Sequence, residues 1–207
     1  MTKDVFVTLE GIEGVGKTSA VECVTSWLRA QGRAVTVTRE PGGTQLGERL
    51  RTLVLEQNGV PIAPLAELLL MFAARAQHLE ERIRPALAGG EAVVCDRFTD
   101  ATYAYQGGGR GLPQTHIDAA AQLVHGDLQP TLTILLDAPP EIGLSRARSR
   151  SAVDRFEVEQ LSFFERVRQA YLELAQRQPL RFVVIDATQD LASVHDEIRA
   201  RLTARLT

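Results

Sequence analysis

Five short apolar runs punctuate the chain: VFVTLE (5–10), AVTVT (34–38), AVVCD (92–96), LTILLD (132–137) and RFVVID (181–186). They are rich in Val, Ile, Leu and Thr and lack a clean alternation with polar residues, as expected of strands covered on both faces. The pattern predicts a parallel sheet. Segments with helical spacing separate the runs, at about 17–31, 44–57, 64–88, 114–125, 157–177 and 190–205, with Gly32, Gly89-Gly90 and Pro179 as stops. Strand and helix alternating along the whole length predict one doubly wound α/β domain over 1–207, and 44% apolar composition in 207 residues is enough for its core. Ligands of such sheets collect beyond the carboxyl ends of the strands. Four of the five runs end there in an acid: Glu10, Asp96, Asp137 and Asp186.

The first run leads directly into Gly11-Ile12-Glu13-Gly14-Val15-Gly16-Lys17-Thr18, a complete match to G-x-x-x-x-G-K-[ST] with a helical pattern following. Glycines let the main chain wrap closely around phosphates, so that successive N–H groups and the positive end of the helix face inward. Gly11, Glu13, Gly14, Val15, Gly16, Lys17, Thr18 and Ser19 are therefore the expected phosphate cradle of a P-loop NTPase fold. Lys17 is expected to reach the β and γ phosphates and Thr18 to bind Mg²⁺. Glu13 is the anomaly, an acid inside a cradle for anions.

The formal charge of −3 offers no global attraction to nucleic acid or to an anionic membrane, so a bound anion has to be held by local groups. No membrane-length apolar run and no export signal is found, so a cytoplasmic protein with no membrane and no nucleic-acid partner is expected. Cys23 and Cys95 fall in helical and strand-like stretches and read as buried reduced thiols. His78, His116, His125 and His195 show no ligand spacing and read as surface or capping residues.

A second constellation follows the third run, in CDRFTDATYAYQGGGRG (95–111). Asp96 ends a strand where a carboxylate either assists Mg²⁺ or caps a helix, and Arg97 beside it is a charged fork for phosphate oxygens. The stretch 106–113, QGGGRGLP, reads as a flexible glycine-rich loop, and 146–155, RARSRSAVDR, is rich in arginine.

Taken together and in order, LEGIEGVGKT, TREPGGTQLGERLR, LLLMFAARAQH, CDRFTDATYAYQGGGRG and LDAPPEIGLSRARSRSAVDRFE closely resemble bacterial thymidylate kinase over essentially the full chain. The resemblance implies an enzyme that transfers the γ-phosphate of ATP to dTMP, forming dTDP for dTTP biosynthesis, as a homodimer. It implies that Arg39 and Arg97 grip the dTMP phosphate, that Phe72 stacks on thymine and that Arg75 donates to its O4. Met71 occupies the place, four residues before the arginine, where many relatives carry the stacking aromatic. Thr102, Tyr105 and Gln106 match positions that contact the base and crowd the sugar 2′ carbon. Glu13 is implied to accept from the sugar 3′-hydroxyl; the alternative is a loop acid turned to solvent.

The arginine-rich stretch resembles the family's lid, about 146–157, which closes over ATP and delivers positive charge. Arg146, Arg148 and Arg150 are its catalytic candidates, with Arg150 nearest the tip, and Arg155 is expected to pair with Asp154 or Glu157. A kinase of another monophosphate such as dUMP is the nearest alternative. A nucleotide switch is the other; it would usually need a guanine-reading motif such as NKxD, which this chain lacks. Helix 64–88, apolar around much of its circumference, suits either burial on the sheet or a dimer face.

Overall fold

The structure is a computed structural model that describes residues 4–56, 60–148, 155–156 and 159–207. Its five parallel strands are β1 (Phe6–Glu10), β2 (Val35–Arg39), β3 (Ala92–Asp96), β4 (Leu132–Asp137) and β5 (Phe182–Asp186), in the order β2-β3-β1-β4-β5. Each coincides with one of the five apolar runs. All five residues of β1 are buried because helices cover both faces, which is why the run does not alternate. The connection from β1 runs to β2 at one edge, and that from its neighbour β3 runs to β4 on the other side of β1. The crevice between the carboxyl ends of β1 and β3 is therefore a topological switch point.

Helix α1 (Lys17–Ala30) buries Val24 and Leu28 in the core, and α2 (Gln45–Leu55) starts at Thr44, whose hydroxyl accepts from Gly47 N. The expected single helix over 64–88 is instead α3 (Pro64–His78), a π-helical turn (Leu79–Ile83) and α4 (Arg84–Ala88). Pro85 supplies the reason, since it has no N–H to donate within the ladder; just before it, Arg84 N bonds Leu79 O, five residues back.

Residues 103–109 correct the expectation of a flexible loop. A short helix α5 (Thr99–Thr102) runs into a π-helical segment (Tyr103–Gly109), followed by α6 (Gln114–Val124). A Cβ on Gly108 would stand 2.7 Å from the Ala170 methyl and 2.9 Å from Arg166 O, so glycine here permits close packing against α8 (Leu161–Arg177). An additional helix, α7 (Pro140–Arg148), follows β4; its Gly143 carbonyl lies where a side chain on Gly14 would be. Helix α9 (Leu191–Leu206) ends the chain, started by Asp190, whose carboxylate accepts from Ala192 N and Ser193 N. Among the described residues no helix is long and apolar enough to cross a membrane. Cys23 and Cys95 are buried and free, as expected.

Candidate active site

The phosphate loop connects β1 to α1. Gly16 caps α1 in the left-handed region, with φ 95°, and the helix has neither a side-chain cap nor an acid in its first turn. Its leading N–H groups are left for an external acceptor, and the helix dipole favours an anion. Lys17 donates to the carbonyls of Gly11 (3.2 Å) and Ile12 (2.7 Å), so the ammonium is folded over its own loop. Burial, followed by the charge of Arg97, lowers its pKa to about 8. Gly14, Gly16, Lys17 and Thr18 open on a cavity of about 620 Å³. Gly11 and Val15 are buried behind the loop, and the Ser19 hydroxyl turns back to Gly16 O at 3.0 Å, so these three do not line it.

Glu13 faces the cavity. Its Oε1 accepts from Arg97 Nη2 (3.0 Å), and both its oxygens accept from the Tyr105 hydroxyl (2.7 Å). The loop acid is thus turned inward and paired, not exposed to solvent. Burial and the Glu13 carboxylate push the Tyr105 phenol up against the opposing charge of Arg97, which keeps the phenol a donor. The Arg97 guanidinium also lies 4.7 Å from the centre of the Tyr105 ring and donates to Tyr171 OH (3.1 Å).

Arg97 is held in a strained backbone conformation, with φ 71° in a non-glycine residue. Its amide bonds Leu9 O, and the next amide, Phe98 N, bonds Glu10 Oε1 at 2.7 Å. Glu10 Oε2 accepts from Tyr171 OH at 2.7 Å. This fully buried carboxyl has its pKa raised to about 8, by desolvation first and then by Asp100. The apolar run that ends in Glu10 marks the position in the sequence, yet its role as an anchor behind Arg97 is visible only in three dimensions.

At the other end of the cavity Arg75 is almost fully buried. Its Nε donates to Glu40 Oε2 (2.6 Å), and its Nη2 to Phe98 O (3.2 Å) and Thr102 Oγ1 (3.0 Å). Nη1 has no partner among the described residues. Gln106 also lines this end and is held by Glu67 Oε1 at 2.8 Å. Met71 faces the cavity, whereas Phe72 does not. Phe72 packs with Leu68, Ile117 and Ala121 in the core, its ring 4.7 Å beneath the Arg75 guanidinium. Of the two neighbours Met71 is the one that lines the cavity, whereas the phase of α3 turns Phe72, implied by the resemblance to stack on thymine, into the core.

Arg39 sits at the cavity rim, half-exposed, and bonds Glu48 Oε2 at 2.8 Å. Arg146 points away from the cavity and donates to Ala187 O at 2.8 Å. Arg150 lies outside the described residues, as do Asp154, Glu157 and the side chain of Arg148. Arg155 bonds Val54 O (2.8 Å) and pairs with Glu67, a long-range partner that spacing along the sequence does not suggest. His78 and His125 are buried and hydrogen-bonded, against the expectation of surface or capping roles. Glu67 and Tyr171 carried no motif that could single them out, and Glu40, although it lies within the REPGG stretch (39–43), was passed over beside Arg39.

Thr18 and Asp96 both line the cavity, and Asp96 Oδ1 is buried with no hydrogen-bond partner among the described residues. A carboxyl oxygen without a donor and a hydroxyl lining the same cavity are the hard oxygen ligands that Mg²⁺ takes, with most of its shell left to water and phosphate. The cavity as a whole collects the cations Lys17, Arg39, Arg51, Arg75 and Arg97. It suits an elongated anion with a polar planar end.

A family model described as Thymidylate kinase matches residues 9–198. The thymidylate kinase of Pseudomonas syringae pv. syringae (strain B728a) is 58% identical over 189 residues, covering 91% of this chain and 90% of its own length. That of Ectopseudomonas mendocina (strain ymp) is 55% identical over 201 residues, covering 97% and 96%. Among solved structures, the crystal structure of thymidylate kinase from Ehrlichia chaffeensis superposes with a TM-score of 0.77 at 33% identity, over 97% of this chain and 98% of that one.

Proposed function

The chain belongs to the thymidylate kinase family, enzymes that convert dTMP to dTDP, and from that premise we propose that it uses ATP with Mg²⁺ and transfers the γ-phosphoryl group directly and in line between two nucleotides bound end to end. One observation carries this reading: a single cavity joins Lys17 and Thr18 at one end to Arg75 and Gln106 at the other, with the Arg97–Glu13 pair between them.

In the proposed reaction an oxygen of the dTMP phosphate forms the new bond to the γ phosphorus. The bond to the β–γ bridging oxygen breaks, and its electron pair leaves with ADP. The attacking oxygen is already ionised near neutral pH, so no strong general base is required. What the reaction requires is positive charge around the moving group. Lys17 answers the charge growing on the ADP side, and Arg97, with Arg39 at the rim, holds the acceptor phosphate. Thr18 and Asp96 would hold Mg²⁺, which supplies further positive charge to the phosphates. Glu13 receives the sugar hydroxyl, and Tyr105 packs against the sugar so that a ribose 2′-hydroxyl would be desolvated without a partner. The lid, about 146–157, contributes Arg148 and Arg150 on the resemblance to the family, and closure excludes water.

We also assign a cytoplasmic homodimer. Exposed leucines 65 and 69 on α3, 46 and 53 on the adjoining α2, and 123 on the adjoining α6 support that assignment, because monomers rarely leave such a set open. Sedimentation equilibrium is expected to give twice the chain mass, and a single-chain mass would remove the dimer.

The test of function is ADP formation by purified protein with ATP, Mg²⁺ and a panel of dTMP, dUMP, AMP and CMP. dTMP is expected to be turned over fastest, with ATP consumed slowly when no acceptor is present. Equal ATP consumption with and without dTMP would contradict closure, and phosphorylation of AMP or CMP but not dTMP would overturn the assignment.

A further inference from the structure

His78 closes α3 and is fully buried, a place where a polar ring must have each nitrogen satisfied. Its Nδ1 lies 2.9 Å from Glu40 Oε1, and its Nε2 lies 2.6 Å from Thr38 Oγ1. Burial alone would raise the pKa of Glu40, but Arg75 and His78 outweigh it and hold the carboxyl below its usual range. An ionised carboxylate only accepts, so Nδ1 carries the hydrogen. In the neutral ring Nε2 then accepts from the Thr38 hydroxyl.

The other Glu40 oxygen holds Arg75 Nε at 2.6 Å, and Phe98 O and Thr102 Oγ1 hold Nη2. With the guanidinium also seated on the Phe72 and Phe98 rings, Nη1 alone is left for a ligand. The loop of the REPGG motif lies directly over the histidine. A Cβ on Gly43, whose φ is 76°, would meet His78 Nε2 at 2.5 Å and Thr38 Oγ1 at 2.6 Å.

We infer that His78 is a specificity-determining positioning residue: through Glu40 it fixes Arg75 so that Nη1 offers its N–H donors to a base carbonyl in one orientation. The inference rests on the reading that the cavity accepts dTMP. A donor held immobile favours a base with an acceptor at that edge and disfavours one that presents an amino group there, because two facing donors leave both unpaired. Without His78, Glu40 gains freedom to rotate and Arg75 can follow it.

The experiment compares wild type with His78→Leu, His78→Asn and Thr38→Val, measuring kcat and KM for dTMP and for dCMP. His78→Leu removes both nitrogens and is expected to raise the KM for dTMP about tenfold with kcat within about twofold, lowering preference for dTMP over dCMP by about tenfold. In His78→Asn the amide nitrogen stands near the place of Nδ1, and most of the loss is expected to be recovered. Thr38→Val keeps the shape of the outermost link and is expected to raise the dTMP KM about twofold to threefold. It decides the matter if His78→Leu does not fold. An unchanged dTMP KM in Thr38→Val, equal damage from Leu and Asn, or a fall in kcat with no change in base preference would overturn the relay. Wild type inactive on dTMP would instead overturn the functional reading on which the relay stands.

Discussion

The guanidinium of Arg97 and the carboxylate of Glu13 meet at 3.0 Å, and the Tyr105 hydroxyl bonds both. This pairing answers why a loop built for anions contains an acid. Arg97 reaches the cavity from β3 and Glu13 from the loop after β1, so their contact couples two neighbouring strands at their carboxyl ends. Behind Arg97, Tyr171 and Glu10 form a second set of contacts, which fix both its side chain and the turn with φ 71°. The guanidinium is thus held in place by protein groups alone, as electrostatic preorganisation requires.

Arg97→Ala is expected to lower kcat by about a hundredfold or more, because it removes the cation proposed to lie between the two nucleotides and leaves Glu13 without its partner. Arg97→Lys should recover little of this, since an ammonium does not reproduce the fork that reaches Glu13, Tyr105 and Tyr171 together. Steady-state kinetics on both variants check this. A kcat within a fewfold of wild type in the alanine variant would remove Arg97 from the transfer step.

How much of this was legible beforehand follows from the range of the interactions. Burial on both faces imprints a contiguous apolar run, so all five strands could be read, and the phosphate loop is a contiguous motif. The Glu40–His78 contact spans 38 positions and the Arg155–Glu67 pair 88, and nothing local marks either one. The glycines at 107–109 look flexible until α8 is seen packed on Gly108. Phe72 and Met71 differ by one step, about 100° around a helix, and only the position of the core decides which of them faces the ligand. Charge-bearing residues were found where a motif implies a ligand contact and missed where they serve another side chain, even inside a motif, as Glu40 does for Arg75 and His78.

Lys17 leads to a pH dependence. Its pKa is lowered to about 8, by burial first and then by the nearby charge of Arg97, while Asp96, Glu13 and Glu10 oppose the shift. As pH rises through that value the free enzyme loses the ammonium proposed to receive the β and γ phosphates. The kcat/KM for ATP, which reports the free enzyme, is expected to fall above about pH 8 and to approach a tenfold loss per pH unit. At saturating ATP the bound phosphates restore the charge, so kcat should fall only at higher pH. Initial rates from about pH 6.5 to 9.5 check this, and a flat kcat/KM across that range would remove Lys17 from ATP binding in the protonated form.

Glu10 leads to a stability effect of the opposite kind. Desolvation, with Asp100 nearby, raises its carboxyl from 4.5 to about 8, against the pull of Arg97 and the hydrogen bonds from Tyr171 and Phe98. Between those two values the folded chain retains a proton that the unfolded chain has released. The contribution to stability is therefore complete below about pH 4.5 and is lost as pH rises through about 8. Glu10→Gln is neutral at every pH and has nearly the shape of the protonated acid. Its advantage over wild type in stability from urea unfolding should already be present near pH 6 and should grow by on the order of 2 kcal/mol more by pH 9. Other titrating groups are shared by the two proteins and cancel in the difference. Parallel stability curves from pH 6 to 9 would show that the buried carboxyl stays ionised throughout, and that Tyr171 and Phe98 outweigh its burial.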